Sequence, residues 1–294
     1  MKKVKAAIIG TGNIGTDLLI KSLRSPYLTC SVFIGRNLSS KGMSKALSLG
    51  VNVSNQGIDA IIKDPDCCDI VFDASSAMSH QQHAKILRQL GKTVINLTPA
   101  RLGHFCFPAI NLAECLDHMN VNMVTCGGQA SIPLAYVIGR IHSRVDYLEV
   151  VSTIASKSAG PATRLNIDEY IETTEKGLMM YANCKAAKAI LNLNPAEPCI
   201  DMQTTIYAMI RDPDLDLIKK DIAEMVGKIQ VYVPSYRLLV GPICEGGRII
   251  MSVKVKGLGD YLPSYAGNLD IINCAAIAVA EEFVKTRLGA GSPA

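Results

Sequence analysis

The sequence predicts an α/β protein in two parts, a parallel-sheet half followed by an α+β half. Three observations carry that expectation. An apolar strand at 4–9 runs into Gly10-Thr11-Gly12-Asn13-Ile14-Gly15 and then into a helical pattern. Short aliphatic runs alternate with amphipathic stretches as far as residue 125, the rhythm of strands joined by crossover helices. From Tyr147 onward the pattern changes to alternating strands and longer helices, with an antiparallel pair about Glu245-Gly246-Gly247. Of the 294 residues, 49% are hydrophobic but only 5% aromatic, so the core is aliphatic and suits a sheet covered on both faces.

The first strand and the turn after it form G-x-G-x-x-G in a strand–turn–helix context. This is the Rossmann dinucleotide-binding arrangement. Gly10 makes the tight turn, Gly12 lets pyrophosphate approach the backbone, and Gly15 lets a helix at 16–23 pack on the strand. A second strand at 28–34 ends in Gly35-Arg36-Asn37-Leu38-Ser39-Ser40-Lys41. A site for NAD usually presents a carboxylate there. Arg36 and Ser39 suit an adenosine 2′-phosphate instead, so NAD(P)H is expected with a lean to NADP(H). The other reading is an exposed basic loop. Helical segments follow at 42–49 and 57–63, then a strand at 69–73 whose small residues 74–77 permit close approach of a cofactor. His80 and His83 open the next helix and read as a solvated face. Strands at 94–97 and 121–125 complete this half.

The last of these strands delivers Cys126, followed by Gly127, Gly128 and a helix from about residue 129. The free amides and partial positive charge of a helix start favour thiolate over thiol. The amides at 126–128 are expected to hold an oxyanion. Cys126 is therefore the candidate nucleophile, against the reading that it is one inert thiol among ten. His104 and His142 are candidate partners by residue type alone. The cysteines show no C-x-x-C pair and no Cys/His spacing for zinc, so no metal is expected.

The second half reads as a strand at 148–154, a small polar loop at 155–164, helices at 166–184 and 185–191, and a strand at 204–210. A helix at 215–231, antiparallel strands at 238–244 and 248–255, and an alanine-rich helix at 270–287 follow. The tail 288–294 is expected to be loose. The expected organisation is 1–127 as dinucleotide-binding domain with the cysteine at its end, 128–267 as α+β catalytic and dimerisation domain, and 268–294 as a helix packing back on the first. Net charge is +4 with no basic stripe, which argues against nucleic acid. No apolar run reaches membrane-spanning length. Scattered cysteines in a chain of this size fit the reducing cytoplasm.

Four runs together resemble the acylating, CoA-dependent acetaldehyde dehydrogenases of aromatic-compound degradation. They are residues 8–17, residues 120–130, Ser156-Lys157-Ser158-Ala159-Gly160-Pro161, and residues 261–270 with Tyr265-Ala266-Gly267-Asn268. The resemblance implies an acyl-thioester intermediate on Cys126 and a fold similar to glyceraldehyde-3-phosphate dehydrogenase. It implies cofactor contacts from the turn at Thr11, Gly12, Asn13 and Ile14. Further contacts are implied from Ser158, Ala159, Gly160, Pro161, Ala162, Thr163, Arg164, Leu165 and Asn166, and from Asn268. It also implies a small aldehyde and CoA or another acyl thioester as substrates, a homo-oligomer, and a 4-hydroxy-2-oxovalerate aldolase as partner. The chain departs from the family in three ways. Arg36 and Asn37 stand where an acidic residue is expected, the segment between Tyr236 and Tyr261 is short, and Thr204 stands where the family has an acid/base aspartate. The departures leave three other readings: an NADPH-dependent reductase of a larger acyl thioester, an acyl-phosphate reductase using Arg164, and a non-catalytic nucleotide sensor.

Overall fold

The computed structural model describes residues 3–287. β1 (Val4–Ile9) buries Ala6, Ala7, Ile8 and Ile9, as an interior parallel strand must. It opens a first unit made of residues 3–123, 160–162 and 273–287. The elements that follow are α1 (Asn13–Arg24), β2 (Leu28–Ile34), α2 (Lys41–Ser48), β3 (Val53–Ser54), α3 (Asp59–Lys63), β4 (Ile70–Asp73), α4 (Ala77–Gln89), β5 (Thr93–Asn96), β6 (His104–Phe105), α5 (Pro108–Cys115) and β7 (Asn120–Asn122). All pairings are parallel, in the order β3-β2-β1-β4-β5-β7-β6. The strand order reverses between β1 and β4, so the carboxyl ends of these two strands frame the crevice where ligands bind in doubly wound sheets. Ala7, Ile9, Ile34, Ile61, Val71 and Leu87 form the apolar cluster beneath one face. Three elements, β3, β6 and α5, have no counterpart in the sequence reading. A two-residue strand is too short for alternation to register.

The second unit holds residues 124–159 and 163–272. Its elements are α6 (Cys126–Ile141), β8 (Tyr147–Ala155), α7 (Pro161–Leu165), α8 (Ile167–Ala182), β9 (Ala187–Asn194), β10 (Met202–Met209), α9 (Leu215–Gln230), β11 (Tyr236–Glu245), β12 (Arg248–Val255) and α10 (Gly267–Arg287). The division between the units falls within α7 and within α10. Five strands pair in the order β11-β12-β10-β8-β9, antiparallel except for β8 with β9. The predicted helix at 185–191 is therefore a correction. Lys-Ala-Ala-Lys-Ala-Ile-Leu has helical propensity, yet eight residues of β9 lie in register against β8, and pairing overrides propensity. The predicted loop at 155–164 contains the short α7. The tail at 288–294 lies outside the described residues.

Helices α6 and α8 cross closely because Gly139 has no side chain. A Cβ there would stand 2.3 Å from the Ala182 carbonyl oxygen. That crossing brings the first turn of α8 over the first turn of α6. Within the first unit, Asn273 of α10 donates to the Ile14 carbonyl at 3.1 Å and to Asp17 Oδ2 at 2.7 Å. Asp17 also pairs with buried Lys21 at 2.7 Å.

Candidate active site

Cys126 is the first residue of α6, four positions beyond the end of β7. The helix starts at the cysteine and not at residue 129, so Gly127 and Gly128 lie in its first turn. Thr125 caps it, accepting from the Gly128 amide at 2.8 Å and exchanging a hydrogen bond with Thr174. Immediately before the cap, Val124 has φ 63°, a left-handed conformation that costs a β-branched residue about 1–3 kcal/mol. The strain turns the chain sharply enough to set a thiol at a helix start.

The surroundings of that thiol correct two expectations. Burial pushes Cys126 up to about 11, outweighing the hydrogen bond from Tyr170 and the amides of Gly127 and Cys126, which pull it down. The resting sulfur is a thiol, because desolvation exceeds what a helix start supplies. Two of the three amides expected to hold an oxyanion are already engaged. Gly127 N–H donates to the Tyr170 hydroxyl at 3.0 Å, and Gly128 N–H to Thr125. The Tyr170 oxygen also lies 3.8 Å from Cys126 Sγ and hydrogen-bonds Ser152. Ser152 in turn meets Thr204 at 3.0 Å, and the two stand directly opposite each other on β8 and β10. Sequence reading missed Tyr170 and Ser152. For Ser152 the available signal is a hydroxyl on the inward, apolar face of an alternating strand, matched by Thr204 on β10; Tyr170 lies on helix α8, where no such alternation marks it.

In the first unit the glycine-rich turn has the geometry its residues imply. Gly10 has φ 114°, and a Cβ there would lie 2.3 Å from the Ala74 carbonyl oxygen. A Cβ on Gly15 would lie 1.9 Å from the Gly10 oxygen, while beside Gly12 there is open space. Gly12 is also the uncapped N-terminus of α1, leaving room and amide donors for an anion. Thr11 is tied to Ser40 at 3.2 Å, and Gly160 lies against Asn13. Past β2, Arg36 and Ser39 are exposed. The Arg36 guanidinium has no partner among the described residues, and the Ser39 amide donates to Asn37 Oδ1 at 2.9 Å. Elsewhere, Ser158 donates to the Ala155 carbonyl and Leu165 is exposed. Arg164 spends its guanidinium on Ala159 and Ser156, in its own loop. Asn268, at the start of α10, is buried with an unpartnered Oδ1. Within the first unit, the space beside Gly12 and the amides that open α1 fit the pyrophosphate of a dinucleotide.

His80 is not on a solvated face, as the sequence suggested, but fully buried. Asp73, at the end of β4, accepts from His80 at 2.9 Å and His83 at 2.8 Å on one oxygen, and from Ser75 N–H and O–H on the other. The two histidines stand one turn apart on α4 and so share a face. Burial alone would raise the Asp73 carboxyl; the two histidines outweigh it and hold it far below the carboxylate range. This knot fixes the loop beside Gly10.

His142 follows the far end of α6, about 24 Å along the helix from Cys126. His104 lies in the first unit, 3.1 Å from Glu114. His104, Glu114 and His118 bring ligand atoms within 4.8 Å of one another. The two rings are stacked, with centroids 4.0 Å and planes 4° apart, so their in-plane lone pairs run parallel instead of converging on one ion. No helix among the described residues is long and apolar enough to cross a membrane.

Comparison with solved structures supports the architecture. Aspartate semialdehyde dehydrogenase II from Vibrio cholerae, complexed with ASA, aligns with a TM-score of 0.64 at 14% identity over 97% of this chain and 99% of that one. The enzyme of Candida albicans with NADP gives 0.65 at 12%, over 98% and 99%. At such identities the likeness shows the fold alone, a Rossmann unit with a second sheet-bearing unit. Sequence comparison goes further. Residues 126–263 match the family described as prokaryotic acetaldehyde dehydrogenase, dimerisation. An acetaldehyde dehydrogenase of Pectobacterium atrosepticum is 57% identical over 98% of both chains. One of Spirochaeta aurantia is 57% identical over 97% of this chain and 96% of its own, and one of Geobacillus stearothermophilus 49% over 99% of both. Relatives this similar along nearly their whole length leave one conclusion: the chain belongs to the acetaldehyde dehydrogenase family of enzymes.

Proposed function

We propose that the protein interconverts a short-chain aldehyde plus CoA with the acyl-CoA, through a thioester on Cys126. The observation that carries this reading is a half-buried thiol at a helix start, reached through a strained backbone turn, in a chain of this family. In the oxidative direction the Cys126 sulfur attacks the aldehyde carbon, a C–S bond forms, and the carbonyl pair moves to oxygen. A nicotinamide ring, when bound, supplies the hydride acceptor. Cys126 then carries the acyl group as a thioester, which conserves the acyl bond energy for exchange with a second thiol. CoA attacks the carbonyl carbon and the bond to Cys126 breaks with its electron pair returning to sulfur.

The residues proposed to hold the dinucleotide are Gly10 to Gly15, the segment 158–166 and Asn268. The open space at Gly12 and the unpartnered oxygen of Asn268 support this. The free Arg36 guanidinium, with Ser39, supports a preference for NADP(H). Arg164 is committed to its own loop, which counts against an acyl-phosphate pocket built on it. All ten cysteines are free, in keeping with a reducing compartment. The match of 126–263 to a dimerisation family supports a homo-oligomer. A 4-hydroxy-2-oxovalerate aldolase as supplier of the aldehyde is proposed on the family resemblance alone.

The test is an assay of acetaldehyde and longer aldehydes with CoA, against NAD⁺ and NADP⁺ in parallel, for the wild type and Cys126→Ala. The variant should lose CoA-dependent turnover and keep nucleotide binding. Undiminished turnover in Cys126→Ala would end the proposal.

A further inference from the structure

We propose that the Tyr170 hydroxyl is a catalytic hydrogen-bond donor to the sulfur of Cys126, with its proton aimed there by Gly127 and by the Ser152–Thr204 pair. The proposal rests on Cys126 being the nucleophile described above. Around the Tyr170 oxygen stand three groups: the Gly127 N–H at 3.0 Å, Cys126 Sγ at 3.8 Å, and the Ser152 hydroxyl. A phenol has one proton to give and room to accept two. The Gly127 amide can only donate. While Cys126 is a thiol, its S–H can donate to the phenol oxygen and Tyr170 can donate onward to Ser152. When the thiol gives its proton to water, the sulfur can only accept. The phenol proton must then turn to sulfur, Ser152 must donate to the phenol oxygen, and Thr204 to Ser152. Deprotonation thus sets the direction of the whole chain, Thr204 to Ser152 to Tyr170 to Cys126.

The setting suits a donor and not a base. Burial raises Tyr170 well above the usual phenol range, and the neighbouring Cys126 adds to that, so the hydroxyl keeps its proton at neutral pH. Tyr170 is the titratable group that faces the sulfur from α8; Ser152 from β8 and Thr204 from β10 are neutral, and no charged side chain contributes to the shift of Cys126. The same donor serves both halves of the reaction. It stabilises the thiolate before attack. It stabilises the departing thiolate when CoA breaks the C–S bond and the electron pair returns to Cys126. Gly127 is the structural counterpart: a Cβ there would stand 2.1 Å from the Tyr170 oxygen, so only glycine leaves the hydroxyl its place.

The test is the rate of iodoacetamide alkylation of Cys126 in the full-length protein at pH 7 to 9. It is followed on the Cys126 peptide by mass spectrometry, because exposed Cys244 reacts too. Loss of a hydrogen bond to an anion lowers the thiolate population about thirtyfold. The more basic sulfur recovers about the square root of that loss. Tyr170→Phe should therefore react about fivefold more slowly, with unchanged nucleotide affinity and a lowered kcat. An unchanged or faster rate in the folded variant overturns the proposal. Should Tyr170→Phe fail to fold, 3-fluorotyrosine at 170 keeps the size and gives a more acidic hydroxyl. Alkylation should then speed up, and an unchanged or slower rate overturns the proposal equally. Aldehyde oxidation of the wild type is measured alongside. Its absence would remove the proposed reaction, whereas the alkylation rates decide the hydrogen bond independently.

Discussion

Replacing Gly127 with alanine would put a methyl carbon 2.1 Å from the Tyr170 hydroxyl oxygen and 2.6 Å from Ser152 Oγ. Ordinary contact begins at 3.4 Å, so the hydroxyl must retreat by about 1.3 Å. It sits at the tip of a buried ring fixed on α8 and cannot swing away as a surface side chain would. Overpacking of this kind costs about 1–3 kcal/mol, and the lost Gly127 N–H hydrogen bond adds about 1 kcal/mol. The better helix propensity of alanine returns about 0.5–1 kcal/mol. The expected net loss is about 2 kcal/mol. The structure also says where the loss arises. In a Gly127→Ala, Tyr170→Phe double variant the nearest clashing atom is gone, but Ser152 Oγ remains, so about half of the loss should return. Urea unfolding of the wild type, both single variants and the double variant, at one protein concentration, measures that coupling as about 1 kcal/mol. Wild-type stability in Gly127→Ala, or strict additivity in the double variant, would refute the placement of the hydroxyl against the helix start.

Two further outcomes are expected. Arg36→Ala should weaken NADPH binding about tenfold and NADH binding less than twofold, by fluorescence titration, since the free guanidinium is matched to a phosphate and not to a hydroxyl; equal losses would refute the 2′-phosphate reading. Asp73→Asn should cost about 3 kcal/mol at pH 7, because an amide cannot accept from four donors. The sign of the pH effect follows from a carboxyl held low in the folded state. Its contribution is complete above the unfolded value near pH 4 and is lost as pH falls toward the folded value. Unfolding curves of wild type and variant should therefore converge below about pH 4; parallel curves down to pH 2 would contradict the role given to the histidines.

Much of the first unit was legible because its signals are local. β1 and β2 are aliphatic runs bounded by glycines or turn residues, and each glycine of the turn has one steric job that its spacing announces. Beside Cys126 the start of a helix was legible, and the protonation state of the thiol was not. The helix start lies in the sequence beside it, but the burial that keeps it a thiol, and the opposing hydrogen bond from Tyr170, 44 positions away, arise only in the fold. The knot at Asp73 failed for a related reason. The three-residue spacing of His80 and His83 shows a shared face, but only the fold puts the end of β4 against that face. The segment 185–191 failed because its alanines and lysines favour a helix alone, and β8 decides otherwise.

These failures point the same way. Where local composition and the fold disagree around the thiol, the fold replaces charge with neutral hydroxyls. Thr125, Thr174, Tyr170, Ser152 and Thr204 line two helix turns and two strands without a single ionised group among them. A carboxylate or an imidazolium near Cys126 would fix the proton's position in the resting protein. A chain of hydroxyls does not, since each can turn from donor to acceptor at little cost. The sulfur therefore rests protonated, at about 11, and inert toward chance electrophiles. In the proposed reaction it gains a donor only once it has become an anion, the state that would attack an aldehyde and would leave an acyl group. Neutral side chains around a half-buried thiol would thus favour the charged sulfur most when the proposed reaction creates it, the differential that raises a rate and not merely an affinity.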